Sequence, residues 1–410
     1  MTTPVVIVGA SLAALRTAEA LRRSLYTGPI TIIGDEPHLP YNRPPLSKAA
    51  LSSAVAHKDL AFFLKPELAG VEWVLGRRII SADLEHQSVT DNVGTVYQYT
   101  ALVAATGVRP KRLALSENPL ERFVLRSIGD ATRLRSALIP GVRVVVAGAG
   151  FIGCEVATVA RSLGCDVTVV SAGTYPMERT LGTELARELM RRHALRGISF
   201  RMSTTISEST GHPLSSVRLA DGGVLPCDVL VEAIGSEWNA EWLAGSDLDA
   251  QAGVATDSSM RVLRKSGEPW PNVFAVGDLA RFPNSAYAVE SFSVGHWNIP
   301  TETGKRAGRL IACLINDPQR LDSLVAEEFH PIPSFWSDQF DVHLLAFGML
   351  GLADSIVLLH GSIESQNVFG YFRGQHLVGV CGIGMRSTVC SYRTKVGRQI
   401  SALVPVGDIS

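Results

Sequence analysis

Paired cysteines, an excess of charge of one sign and long apolar runs are all missing from this chain. Its six cysteines, Cys154, Cys165, Cys227, Cys313, Cys381 and Cys390, never fall at CxxC spacing. A zinc ribbon or a dithiol redox pair needs that spacing, so neither is expected. Cysteines scattered through 410 residues read instead as reduced thiols of a cytoplasmic protein. A formal net charge of −1 provides no global basic field, which argues against a nucleic-acid binder. The most apolar stretch, 142–160, is interrupted by Arg143 and Glu155 and is rich in glycine, so no membrane span is expected. Met1 leads almost directly into the strand-like Val5-Val6-Ile7-Val8, and no signal peptide is expected.

What is present is a globular composition, 46% hydrophobic and 19% charged, in a chain long enough for two or three cores. A short apolar strand at 5–8 runs into Gly9-Ala10-Ser11-Leu12-Ala13-Ala14. A helical pattern follows, with Leu15, Ala18 and Leu21 on one face, then a strand at 30–33 ending in Gly34-Asp35-Glu36. The same grammar returns with a strand at 142–147, the turn Gly148-Ala149-Gly150-Phe151-Ile152-Gly153, a helix at 154–163 and a strand at 166–170. Strand, glycine-rich turn and helix form a cradle that aims backbone N–H groups at a diphosphate. Three more strands end in close-approach signals: 102–105 before Thr106-Gly107, 230–233 before Ile234-Gly235, and 273–276 before Gly277-Asp278. From about Leu321 the pattern changes to strand-like runs at 343–346, 356–359, 368–372 and 377–380 and a basic helical end.

One GxGxxG is a weak signal, but two copies in one chain with a strand ending in Val276-Gly277-Asp278 are far more specific. On these residues the chain resembles the FAD- and NAD-dependent reductases of the glutathione reductase superfamily. Within that group, Leu39-Pro40-Tyr41-Asn42-Arg43-Pro44-Pro45-Leu46-Ser47-Lys48 is similar to the ferredoxin reductases that serve cytochromes P450 and aromatic-ring dioxygenases. Phe335-Trp336-Ser337-Asp338-Gln339-Phe340 resembles the motif that opens their C-terminal domain. The implied fold is α/β, with two Rossmann-like three-layer nucleotide-binding domains plus a C-terminal α+β domain. The implied division is an FAD-binding part at 1–110 and 239–320, an NAD(P)H-binding part at 111–238 and a tail domain at 321–410.

The resemblance also implies roles. Gly9, Ser11 and Ala14 hold the FAD diphosphate, and Asp35 or Glu36 its adenosine ribose. Arg43 contacts the phosphate or ribose region, as a planar guanidinium suits. Thr106, Gly107, Gly235, Gly277 and Asp278 pass close to the cofactor, Lys48 sits beside the flavin ring, and Trp297 and Trp336 line it. Gly148, Gly150 and Gly153 bind the nicotinamide cofactor, NADH or NADPH. Glu155 pairs with Lys48, which offsets the negative charge of reduced flavin. Ser171 departs from the pattern: it stands where a glutamate would grip the ribose hydroxyls and repel a 2′-phosphate, so NADH and NADPH both stay open. Gly295 also departs, from a glutamate before His296-Trp297.

No cysteine stands beside the first cradle helix, where disulfide reductases keep their redox pair, or at 41–43, where coenzyme A disulfide reductases and peroxide-reducing NADH oxidases keep one, so the resemblance implies catalysis through flavin alone. The implied partner is an acidic ferredoxin. Two basic sets are candidate docking faces: Lys305, Arg306 and Arg309, and Arg386, Arg393, Lys395 and Arg398. Alternatives are a reductase for rubredoxin, a quinone or oxygen, and a slow-turnover flavin-bearing sensor similar to apoptosis-inducing-factor-like proteins.

Overall fold

The computed structural model describes residues 4–115, 120–293 and 295–397. Its first sheet has six strands in the order Arg261–Leu263, Pro269–Ala275, Ala101–Ala104, Val5–Val8, Ile30–Gly34, Val71–Leu75. All neighbours run parallel except the first pair. Val5–Val8 is buried at every position and pairs Val5 with both Ile30 and Ala101. A continuous apolar run is what a strand covered on both faces requires. One cover is the helix Leu12–Arg23, and the helix Ile299–Asn316 lies against that helix in turn. Gly304 and Gly308 make the crossing possible, because a Cβ at either would lie 2.7 and 2.6 Å from the carbonyl oxygens of Ala13 and Thr17.

The second sheet repeats the plan with five parallel strands: Ile198–Met202, Asp166–Ser171, Arg143–Ala147, Val229–Glu232, Arg122–Phe123. The chain crosses between the two sheets twice, and the crossings pair antiparallel as Val108–Pro110 with Ser236–Trp238. The first sheet therefore takes strands from both sides of the second unit in sequence.

The tail forms a five-stranded antiparallel sheet, Ser334–Gln339, Val342–Gly348, His376–Ile383, Asn367–Arg373, Ser355–Gly361, closed by the helix Arg386–Tyr392. Four of those strands correspond to the runs expected from alternation, and Ser334–Gln339 adds a fifth. Residues just before it, Leu321, Leu324, Val325 and Phe329, pack on the first core rather than on this sheet. Among the described residues no helix is long and apolar enough to cross a membrane.

Candidate active site

Both glycine-rich turns fold in the same way. Gly9 has φ +111° and Gly148 φ +103°. A Cβ would lie 2.2 Å from the Ala105 carbonyl oxygen at the first and 2.3 Å from that of Ala233 at the second. Only glycine serves there, on conformation and on space. The helices that follow, Leu12–Arg23 and Phe151–Ser162, start without a side-chain cap and without an acidic residue in the first turn. Their first N–H groups are thus left for another acceptor. Ser11 does not cap its own helix; its hydroxyl accepts from Arg43 Nε at 3.3 Å. At Gly150 a Cβ would point into open space, whereas at Gly153 it would strike the Gly148 carbonyl at 2.1 Å.

A cavity of about 830 Å³ runs from the first cradle to the C-terminal strand Ser334–Gln339. That volume lies toward the upper end for small-molecule sites, which span about 300–1,000 Å³. Gly9, Ser11, Asp35, Glu36, Arg43, Lys48, Thr106, Gly107, Glu155, Gly277, Asp278, Trp297 and Trp336 all line it, and so does Gly295. Ala14, Gly148, Gly150, Gly153, Ser171 and Gly235 do not. The first turn of the Phe151–Ser162 helix nevertheless reaches the cavity through Phe151, Ile152 and Glu155. Ser171 ends its strand at the edge of the second cradle, its hydroxyl accepting from the Gly173 N–H at 3.4 Å. Gly235 sits in the crossing, accepting from the Lys111 N–H at 2.9 Å.

At one end of the cavity Glu36 is engaged twice, by Arg43 Nη2 at 2.5 Å and by the Tyr41 hydroxyl at 2.6 Å. Burial pulls the Arg43 pKa down, but Glu36 and Tyr41 outweigh it and the net direction is up. Asp35 is exposed at the end of its strand. Arg126, which sequence reasoning missed, offers its carbonyl to Arg43 at 2.6 Å and its guanidinium to Asp278 at 3.4 Å. Burial lowers its pKa, with Asp278 offsetting only part. A signal for it existed: Ser127 and Asp130 form a capping box that starts a helix directly after Arg126. Thr106 donates to the Asn239 carbonyl at 2.6 Å, locking the two crossings beside the cavity.

At the other end Lys48 Nζ stands 2.7 Å from Glu155 Oε2, and Ser47 donates to the same oxygen. The Ser337 hydroxyl donates to Glu155 Oε1 at 2.5 Å. Glu155 is 3% exposed, so its charge is met by three donors from two other segments. Cys154 next to it is buried, which pushes its thiol up to about 12 with a contribution from Glu155, far from a reactive thiolate. All six cysteines are free. Trp297 and Trp336 meet edge to face at 5.7 Å, both more than a third exposed at the mouth. His296 packs on Phe335 at 4.8 Å, with burial drawing its pKa down to about 4.

One member of the first candidate docking set, Arg306, is corrected, while Lys305 and Arg309 keep exposed side chains. Arg306 lies on the inward face of the Ile299–Asn316 helix, 4% exposed, donating to the carbonyls of Val325 and Glu327. Arg309 pairs with Glu327, which also meets Arg306, and Lys305 pairs with Glu302, so two carboxylates of the chain offset most of this run. Arg386, Arg393 and Lys395 are exposed; Arg398 lies outside the described residues.

The family model for the pyridine nucleotide-disulphide oxidoreductases matches residues 3–295, and a reductase C-terminal model matches 334–404. The ferredoxin–NAD(+) reductase component of the p-cumate 2,3-dioxygenase system of Pseudomonas putida is 31% identical, over 92% of this chain and 88% of its own length. Rhodocoxin reductase of Rhodococcus erythropolis is 32% identical, over 92% of this chain and 85% of its own. Putidaredoxin reductase, solved in its covalent complex with putidaredoxin, superposes with a TM-score of 0.88 at 25% identity, covering 100% of this chain and 95% of that one.

Proposed function

The chain belongs to the pyridine nucleotide-disulphide oxidoreductase family, and from that membership we propose that it is an FAD-dependent reductase taking electrons from NADH or NADPH to a small ferredoxin that serves an oxygenase. One observation carries the reading: the helix that starts on the second cradle presents Phe151, Ile152 and Glu155 into the cavity that starts on the first. A second cradle whose helix opens onto the chamber of the first is what transfer between two nucleotide cofactors demands.

The residues present fit FAD. The first cradle leaves uncapped helix amides, the half-buried guanidinium groups of Arg43 and Arg126 line the same cavity, and the cavity has room for a dinucleotide. Gly9, Ser11 and Ala14 shape the diphosphate turn, with Arg43 beside it. Asp35 is better placed than Glu36 for the ribose, since the Glu36 carboxylate is already taken by two donors. Bound FAD supplies the exchange between two-electron donor and one-electron acceptor. Thr106, Gly107, Gly277 and Asp278 wall its path, while Trp297 and Trp336 shield the mouth. Lys48 holds a cation where reduction adds negative charge, and Glu155 keeps that cation in place. Gly148, Gly150, Gly153 and Ser171 receive the nicotinamide cofactor, and Gly235 shapes the crossing beside it. No thiol pair takes part, as the buried Cys154 accords with.

The acidic carrier docks near the Trp297–Trp336 mouth, with the exposed Arg386, Arg393 and Lys395 as its basic contacts. Free cysteines suit a cytoplasmic setting.

The test is the absorbance spectrum of the purified protein, then anaerobic titration with each nicotinamide, then cytochrome c reduction with ferredoxin, rubredoxin or quinone as carrier. A flavin band bleached rapidly and a rate that needs ferredoxin and falls with salt are expected. Protein that takes up no flavin on reconstitution refutes the function. Slow bleaching with a long-lived charge-transfer band moves it to the sensor class.

A further inference from the structure

The strand Ser334–Gln339 buries polar side chains where alternation calls for apolar ones. Phe335, Ser337 and Gln339 point inward, and Ser337 and Gln339 are 0% and 1% exposed. A hydroxyl and an amide buried there are costly unless they are paired. Ser337 donates to Glu155 Oε1 at 2.5 Å. Gln339 Nε2 donates to the Ser337 oxygen at 2.9 Å and lies 3.3 Å from Met177 Sδ, while its Oε1 is buried without a partner. A serine hydroxyl has a single proton. With Gln339 filling a lone pair of its oxygen, that proton is committed to Glu155. The other carboxylate oxygen takes Lys48 and Ser47.

We propose that Ser337, oriented by Gln339, is a positioning residue for electron transfer: it holds Glu155 so that Lys48 meets only one carboxylate oxygen. The Lys48 charge is then only partly neutralised and stays available to the negative charge that reduction brings into the cavity. Remove the hydroxyl and Oε1, which has almost no access to water, loses its donor. The carboxylate turns its second oxygen toward the ammonium, and Lys48 is cancelled more fully. The C-terminal domain thereby sets the electrostatics of a site built by the two nucleotide-binding units. The inference rests on the reading of the cavity as a flavin site.

The experiment compares the full-length, FAD-loaded protein with its Ser337→Ala, Ser337→Thr and Gln339→Leu variants. The flavin midpoint potential is read by spectroelectrochemistry, and kcat and KM for the nicotinamide cofactor are read separately. Losing one hydrogen bond to a charged group is worth about tenfold. Ser337→Ala is expected to keep its flavin and lose about tenfold in preference for the reduced state. For a two-electron couple that is a fall of about 30 mV. Its kcat falls while KM stays within about twofold, because the nicotinamide cradle is untouched. Ser337→Thr keeps the hydroxyl and restores both. Gln339→Leu shifts the potential the same way by less. A Ser337→Ala potential equal to or above that of the wild type, with flavin bound, overturns the assignment. Failure of the wild type itself to hold flavin overturns the cavity reading instead, and the assignment with it.

Discussion

Gly150→Val separates binding from folding at the second cradle. Gly150 has φ −77° and ψ −176°, an extended conformation that valine adopts readily, and a Cβ there meets nothing within 4 Å. As the helix N-cap it is nonetheless a position where valine is less favoured than glycine, so the substitution should cost about 1 kcal/mol of stability. Its methyl groups, however, project into the space in front of the unpaired amides of Phe151, Ile152 and Gly153. If a diphosphate sits there, the variant loses about two charge-assisted hydrogen bonds at about 1.5–3 kcal/mol each. That is about 3–6 kcal/mol, or roughly 10²- to 10⁴-fold in Kd. Gly148→Ala is the contrast. Its φ of +103° is closed to L side chains, and its Cβ would press within 2.3 Å of the Ala233 carbonyl oxygen. Strain of about 1–3 kcal/mol and overpacking of about 1–3 kcal/mol should appear as lost stability. The assays are thermal denaturation, flavin absorbance and calorimetric titration with NADH and NADPH. Gly150→Val should melt within about 4 °C of the wild type, stay yellow and bind both nicotinamides roughly 10²- to 10⁴-fold more weakly. If it binds NADH normally, the second cradle is not the nicotinamide site; if it is colourless, the two cradles have been assigned in the wrong order.

Lys48→Met leaves Glu155 buried without its ion partner, which should cost about 3–5 kcal/mol of stability, and should slow flavin reduction by about 10- to 100-fold. The double variant Lys48→Met, Glu155→Leu should regain the stability but not the rate, so a double variant reduced as fast as the wild type in stopped flow refutes a role in transfer. Ser171→Glu puts a carboxylate where a 2′-phosphate would lie, and at a half-exposed site that repulsion is about 1–2 kcal/mol. The NADH over NADPH ratio of kcat/KM should rise by about tenfold, and an unchanged ratio would locate the ribose elsewhere. His193 is 1% exposed with neither ring nitrogen paired, and burial, helped by Arg196, draws its pKa down to about 4. The unfolded chain takes up that proton near pH 6.5, so stability should be full above about 6.5 and fall by up to about 3 kcal/mol as pH drops toward 4. His193→Phe should flatten that part of the Tm profile, and a profile as steep as the wild type's would show that other groups carry it.

How much the sequence discloses depends on the range over which each feature is specified. The cradles are legible because a strand, a positive-φ glycine and a helix start lie within about ten residues, and the backbone demands leave few residue types. Lys48 and Glu155 meet across 107 positions, and no local period announces that contact; family resemblance suggested it. The strand Ser334–Gln339 hides because two of its three inward positions are polar, which defeats a search for apolar alternation. Arg306 misleads for the opposite reason. Lys305, Arg306 and Arg309 look like a solvated run, yet Gly304, Ala307, Leu310 and Ile311 set the buried face of that helix, and Arg306 falls on it. Helical phase, rather than charge count, carried the answer. Arg126 carries no local signal of its own beyond the Ser127–Asp130 capping box that follows it.

A buried ion pair gives little net stability, since desolvating both charges takes back most of their attraction. The Lys48–Glu155 pair is harder still to justify on stability alone, because the two residues and Ser337 come from three separate stretches of chain. Apolar side chains would fill the same space without the desolvation penalty. The alternative explanation is that the charge is wanted by whatever enters the cavity. On that account Glu155 holds the ammonium in place during the intervals between reductions, and the serines hold Glu155. It also explains why the donors are hydroxyls. Ser47 and Ser337 satisfy a carboxylate without adding a second positive charge, so the field at the start of the helix Phe151–Ser162 stays that of one lysine–glutamate pair. An arginine in either place would anchor Glu155 as firmly and would shift the field as well. Neutral donors around the carboxylate that holds a single cation suit a site tuned for the charge of a reduced cofactor.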